Sequence, residues 1–104
     1  MRGEVYRLKP RAGARGHEQT GARYGVVVQS DHLPLSTWLM APTSTRARAT
    51  SYRPTISVAG TPTRVLVEQL SSVDPFTFAE PVAHLAHREM HEINHALAMV
   101  LGLD

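Results

Sequence analysis

The sequence predicts a small, mainly β domain: a curled sheet or barrel packed by one C-terminal α-helix. Three observations predict it. Short runs of β-branched and aromatic residues recur between prolines and glycines along most of the chain. The apolar period changes to that of a helix from about His87 to Leu101. At 104 residues, 42% hydrophobic and without cysteine, the chain can fill one modest core spanning 1–104, with no disulfide or thiolate metal site.

Residues 4–8 alternate as a first strand, stopped by Pro10. Residues 9–22 are a basic, glycine-rich loop, and a loop this long in a small domain is functional or disordered. The second strand covers 24–29. Its Val26, Val27 and Val28, three β-branched residues in a row, read as buried on both faces. Residues 31–34 turn the chain into a third strand over 36–41, which Pro42 ends. Hydroxyls and arginines without apolar period make 42–53 a mobile surface loop.

A short strand over 55–58, a turn at Gly60-Thr61-Pro62 and a strand over 64–68 follow. Asp74-Pro75 opens a short helical turn, because proline is tolerated at a first helical position. A last strand covers 81–85. In the terminal helix Met90, Ile93, Leu97, Val100 and Leu101 share one stripe, and Gly102 is placed to stop it.

Charge is unevenly divided. Residues 1–64 hold ten basic groups against three acidic ones, net +7, whereas residues 65–104 hold one against six, net −5. Nine of those ten basic groups are arginine, the side chain suited to bidentate phosphate contact, so a polyanionic partner for one face is expected. No run approaches the ~18 apolar residues of a membrane span, and the N-terminus carries no apolar signal core. A cytoplasmic place and no membrane partner are therefore expected.

The stretch 16–31 carries the clearest chemistry. A polar, glycine-punctuated loop with His17, Glu18 and Gln19 delivers Arg23 to the mouth of the valine-rich strand. An arginine fixed at the rim of a rigid element is a candidate anion site; an ordinary turn with a surface arginine is the plainer alternative. His87, His91 and His95 recur every four residues, a spacing able to hold zinc or nickel, but no fourth ligand is set by the sequence. A solvated helix flank is the preferred reading, with no metal and no cofactor.

Several segments in order resemble the MazF/PemK-like toxins of bacterial toxin–antitoxin systems. They are Arg2-Gly3-Glu4-Val5-Tyr6, Gly16-His17-Glu18-Gln19 with Gly21, Arg23 ahead of the valines, and Ala41-Pro42-Thr43-Ser44. Val67-Glu68-Gln69-Leu70 with Val73-Asp74, and the closing Glu89-Met90, Ala96-Leu97 and Leu101-Gly102-Leu103, complete the set. The resemblance implies an SH3-like β-barrel of the CcdB/MazF kind with a C-terminal helix. It implies a homodimeric, sequence-selective, metal-independent endoribonuclease that acts on single-stranded RNA. Attack by the 2′-OH would leave a 2′,3′-cyclic phosphate and a 5′-OH, and a cognate antitoxin would occupy the RNA groove.

By the same resemblance Arg23 is the catalytic arginine and Ser44, or by a one-residue shift Thr43, the catalytic hydroxyl. His17 is a proton-transfer candidate, or else a residue that stacks on RNA or fills the loop. Arg15, Glu18, Gln19, Tyr24, Thr45, Arg46, Glu68 and Gln69 are the RNA-binding set, with Tyr24 placed to stack on a base. Two positions depart from the family pattern: Tyr24 stands where a proline is usual, and Leu66 where some members carry a second arginine. A mechanism that needs that second charge would have to recruit Arg64 or do without it. A gyrase-poisoning toxin of the same fold and a non-catalytic SH3-like binding module are the rival readings, and an RNA-cleavage assay separates them.

Overall fold

The computed structural model describes residues 1–10 and 22–103, so Arg15, His17, Glu18 and Gln19 lie outside the described residues. Within them, seven strands precede one helix: β1 (Glu4–Leu8), β2 (Arg23–Val27), β3 (Trp38–Ser44), β4 (Thr55–Val58), β5 (Thr61–Val65), β6 (Ser71–Val73), β7 (Phe78–His84) and α1 (His87–Leu101). The strands form one antiparallel sheet in the order β4-β5-β3-β2-β1-β7, with β6 added beside β3. β3 bends the sheet. Its first half pairs with β6 through Trp38, Leu39 and Met40, and its end pairs with β5 through Thr43 and Ser44.

Strand alternation sorts the core into two layers. Val5, Val26, Val28 and Ala41 face the side covered by α1, β4 and β5, where Ile56, Val65, Val67, Ile93 and Ala96 complete the main core. Leu8, Val27 and Met40 face the other way and pack with Phe78. Tyr6, Trp38 and Phe78 extend that second layer as a tilted aromatic triplet, with ring centroids 5.1–5.8 Å apart. Val26 and Val27 at the end of β2, with Val28 just after it, are thus buried on both sides, as β-branched runs of this kind should be.

Three strands run through prolines that the sequence reading took as a stop (Pro42), part of a turn (Pro62) and the start of a strand (Pro81). Pro42 sits where β3 changes neighbours, and its carbonyl accepts from the Leu66 N–H at 2.8 Å. Pro62 lies on the part of β5 that has β4 alone beside it. Pro81 lies on β7, an edge strand, between register shifts against β1. In each case the missing N–H falls where a full ladder is not being made. The fifth strand accordingly covers Thr61–Val65, not 64–68, and Val67–Gln69 is a single 3₁₀ turn.

α1 begins and ends where its signals place it. The Glu89 carboxylate accepts from the Ala86 N–H at 2.8 Å and from the Ser57 N–H of β4 at 2.9 Å, which ties the first turn to the sheet. Gly102 takes φ 71°, and the Leu103 N–H reaches the Ala98 carbonyl at 2.8 Å, closing the last turn. The buried stripe is centred on Ile93 and Ala96, with Met90 and Leu97 at its margins; Val100 and Leu101, expected on it, are exposed. Among the described residues no helix is long and apolar enough to cross a membrane.

Candidate functional site

β2 enters the sheet at Arg23, and alternation places Arg23, Gly25 and Val27 on the face away from α1. That face carries an open groove of about 870 Å³. Leu8, Met40, Leu66 and Val73 line it with apolar surface, and Lys9, Arg23, Thr43 and Gln69 add polar groups. Gly25 makes the floor possible: a Cβ there would stand 2.8 Å from the Met40 sulfur and 3.3 Å from a Leu8 methyl.

Arg23 is half-buried at the strand mouth. Its Nη2 donates to the Lys9 carbonyl at 3.2 Å, its one side-chain hydrogen bond among the described residues. Three other arginines of the basic half are already committed to structure. Arg2 donates to the Val28 carbonyl at 2.8 Å and to Asn94 Oδ1 at 2.6 Å. Arg7 pairs with Glu80 at 2.8 Å, and Arg53 pairs with Glu68 at 2.6 Å while donating to the Arg48 carbonyl at 3.1 Å. The division of charge along the sequence is therefore partly cancelled in space, and Arg23 stands among the cations with no carboxylate within ion-pair distance among the described residues.

The two candidate hydroxyls differ in place. Thr43 lines the groove, and its Oγ1 donates to the Tyr24 carbonyl at 2.9 Å, just beyond the last β2–β3 pair, Gly25 with Pro42. With its proton held there, the oxygen has lone pairs left to accept a further hydrogen bond. Ser44 Oγ instead accepts from the Arg46 N–H at 3.1 Å and shapes the turn that leaves β3.

The remaining RNA-binding candidates divide. Gln69 lines the groove with Arg23. Thr45 and Arg46 are exposed on the turn after β3. Glu68 is held by Arg53 through Nε at 3.0 Å and Nη2 at 2.6 Å, and these bonds keep its carboxyl below the ordinary range. Tyr24 points opposite to Arg23 and packs against the α1-side core, so the ring expected to stack on a base beside Arg23 is not in the groove. The groove's exposed ring is Phe76, which sequence reasoning passed over, as it did Lys9. Arg64 bonds Thr55 Oγ1 at 3.2 Å and does not line the groove. His87, His91 and His95 are exposed, and no group of three metal-capable side chains is assembled among the described residues.

Comparison with known proteins gives this geometry its context. Residues 1–101 match the family of PemK-like, MazF-like toxins of type II toxin–antitoxin systems. Rv3098A/RVBD_3098A of Mycobacterium tuberculosis (strain ATCC 25618 / H37Rv), named provisionally as a toxin, is 40% identical over 104 residues, covering 99% of this chain and 98% of that one. An endoribonuclease from a mycobacterial species, solved in complex with its cognate antitoxin, superposes with a TM-score of 0.79 at 20% identity, over 100% of this chain and 96% of that one. MazF from Deinococcus radiodurans superposes at 0.75 with 24% identity, over 97% and 94%. These two likenesses establish the fold.

Proposed function

This chain belongs to the PemK-like, MazF-like toxins of type II toxin–antitoxin systems, and on that premise we propose that it is a metal-independent endoribonuclease cleaving single-stranded RNA. One observation carries the reading: Arg23, Lys9 and Thr43 line a single groove on the open face of the sheet. The structural relative named an endoribonuclease supports it.

The groove's chemistry follows from its donors and acceptors. The guanidinium of Arg23 holds the non-bridging oxygens of the scissile phosphate and stabilises the charge that grows on them as the 2′-oxygen attacks phosphorus. Thr43 Oγ1, its own proton on the Tyr24 carbonyl, accepts from the attacking 2′-OH and orients it. As the bond from the 2′-oxygen to phosphorus forms, the P–O5′ bond breaks. The 2′-OH proton leaves to solvent and the departing 5′-oxygen takes one from solvent, giving a 2′,3′-cyclic phosphate and a 5′-OH. Lys9 adds a second positive charge on the same wall. A second copy of this chain and a cognate antitoxin are the protein partners; the antitoxin complexes of the mycobacterial and Deinococcus radiodurans relatives support the latter.

The test is incubation of purified protein with single-stranded RNA in EDTA, followed by end analysis. Cyclic phosphate and 5′-OH ends are expected. A requirement for a divalent ion, or 5′-phosphate ends, would refute the reading. Comparing Thr43→Val with Ser44→Ala then ranks the hydroxyls: the groove geometry predicts the larger loss in single-turnover rate for Thr43→Val.

A further inference from the structure

We propose that Phe76 is the stacking platform for a nucleobase of the bound RNA, seated beside the phosphate that Arg23 holds; this rests on the endoribonuclease reading above. A lone exposed apolar side chain needs no explanation, and Phe76 is 81% exposed. What sets it apart is its mounting. It sits in a single 3₁₀ turn, Pro75–Thr77, whose first residue is a proline. The Phe76 N–H donates to Asp74 Oδ1 at 2.8 Å, and the Thr77 N–H to the Asp74 carbonyl at 2.8 Å. The Lys9 N–H at the end of β1 donates to the Thr77 carbonyl at 2.9 Å, which anchors the turn to the sheet. The ring is therefore exposed while its backbone is fixed at both ends.

Beside the Asp74 carboxylate that caps its turn, its groove neighbours include two cations, Lys9 and Arg23. Lys9 Nζ stands 5.9 Å from the ring centroid, and the Lys9 carbonyl is the acceptor for Arg23 Nη2. Aromatic ring, ammonium and guanidinium thus belong to one groove, which all three residues line. A single-stranded nucleic acid alternates the complementary groups, a flat base and an anionic phosphate. Stacking on such a ring, with a cation beside it, is the sequence-tolerant component of its binding. Tyr24, turned into the α1-side core, does not compete for this role.

The test measures binding of a mixed-sequence 2′-O-methyl oligonucleotide, which lacks the attacking 2′-OH, and of an abasic phosphodiester of the same length. Wild type is compared with Phe76→Ala, Phe76→Leu and Phe76→Tyr. The alanine and leucine variants should bind the base-bearing strand about 5- to 150-fold more weakly, with tyrosine within about threefold of wild type. All four proteins should bind the abasic strand alike, with the same salt slope. Alanine binding within about twofold of wild type overturns the proposal, as does full rescue by leucine, which would make the ring mere apolar cover. A change in association state of the RNA-free Phe76→Ala protein by sedimentation also overturns it, because a second copy would then be what covers the ring. Wild-type protein that binds neither strand would overturn the endoribonuclease reading along with this one.

Discussion

The two faces of the central sheet are made by the same strands, yet one is closed and the other left open. On the α1 side, Val5, Val26, Ile56, Val65, Val67 and Ile93 are almost wholly buried, and the hydrogen bonds there serve to tie elements together. On the other side Leu8, Val27, Met40 and Phe78 form a thinner layer that gives way to the groove. β2 contributes to both, with Val26 facing one side and Arg23, Gly25 and Val27 the other. The difference teaches that stability and site geometry can be separated along one strand by its two-residue period.

Substitutions on each face should break or sharpen this contrast. The largest stability effect should come from Ile93→Ala, because Ile93 is fully buried at the centre of α1's stripe. A loss of about 2–5 kcal/mol is expected in denaturant unfolding, with the cleavage rate per folded molecule unchanged. Gly25→Ala acts on the open face, where the new Cβ meets the Met40 sulfur and a Leu8 methyl. Overpacking there should cost about 1–3 kcal/mol, and because the displaced side chains are the groove floor, RNA cleavage should fall as well. If cleavage per folded molecule survives Gly25→Ala unchanged, the groove floor is not part of the site.

The smallest effect concerns the anchoring ion pairs and is read from pH. Hydrogen bonds from Arg53 and Arg7 hold the carboxyls of Glu68 and Glu80 below the ordinary range. A carboxyl whose folded pKa is lowered contributes its full stabilisation above the unfolded value, near ~4.3, and loses it as pH falls through the folded value. Thermal stability should therefore drop on acidification below about pH 4.5, and less steeply in Glu68→Gln than in wild type. An identical acid limb in the two proteins would show that the Arg53–Glu68 pair does not anchor the loop after β3.

Much of this was legible in the sequence, for identifiable reasons. β1, β4 and α1 fall where alternation, helical period and Gly102 place them, since local signals agree there with tertiary packing. Proline hid the true extent of β3, β5 and β7. A missing N–H ends a strand only where a neighbour would have used it, and which neighbour is present is not local information. β6, three residues and mostly polar, carries no pattern to read. The place of Arg23 at the mouth of β2 was legible from the three valines that follow it. Lys9 and Phe76 were not: Lys9 reaches Arg23 through the pairing of Leu8 with Arg23, and Phe76 through the bond from Lys9 to Thr77, all between residues distant in sequence. Tyr24 misled for the opposite reason: Arg23 beside it takes the groove face, and strand alternation turns Tyr24 towards the α1-side core.

The central claim is that Arg23 serves catalysis and not folding, and one paired measurement tests it. Thermal unfolding and single-turnover cleavage of single-stranded RNA are recorded for Arg23→Ala and wild type. Arg23 makes one side-chain hydrogen bond among the described residues, to the Lys9 carbonyl, so stability should change by less than about 1 kcal/mol. Loss of a preorganised donor to the transition state should lower the rate by ~10²–10³, about 3–4 kcal/mol, and lysine should restore little because it cannot make two parallel bonds to phosphate. A rate within about threefold of wild type, less than ~0.7 kcal/mol of barrier, in a folded variant would contradict the account.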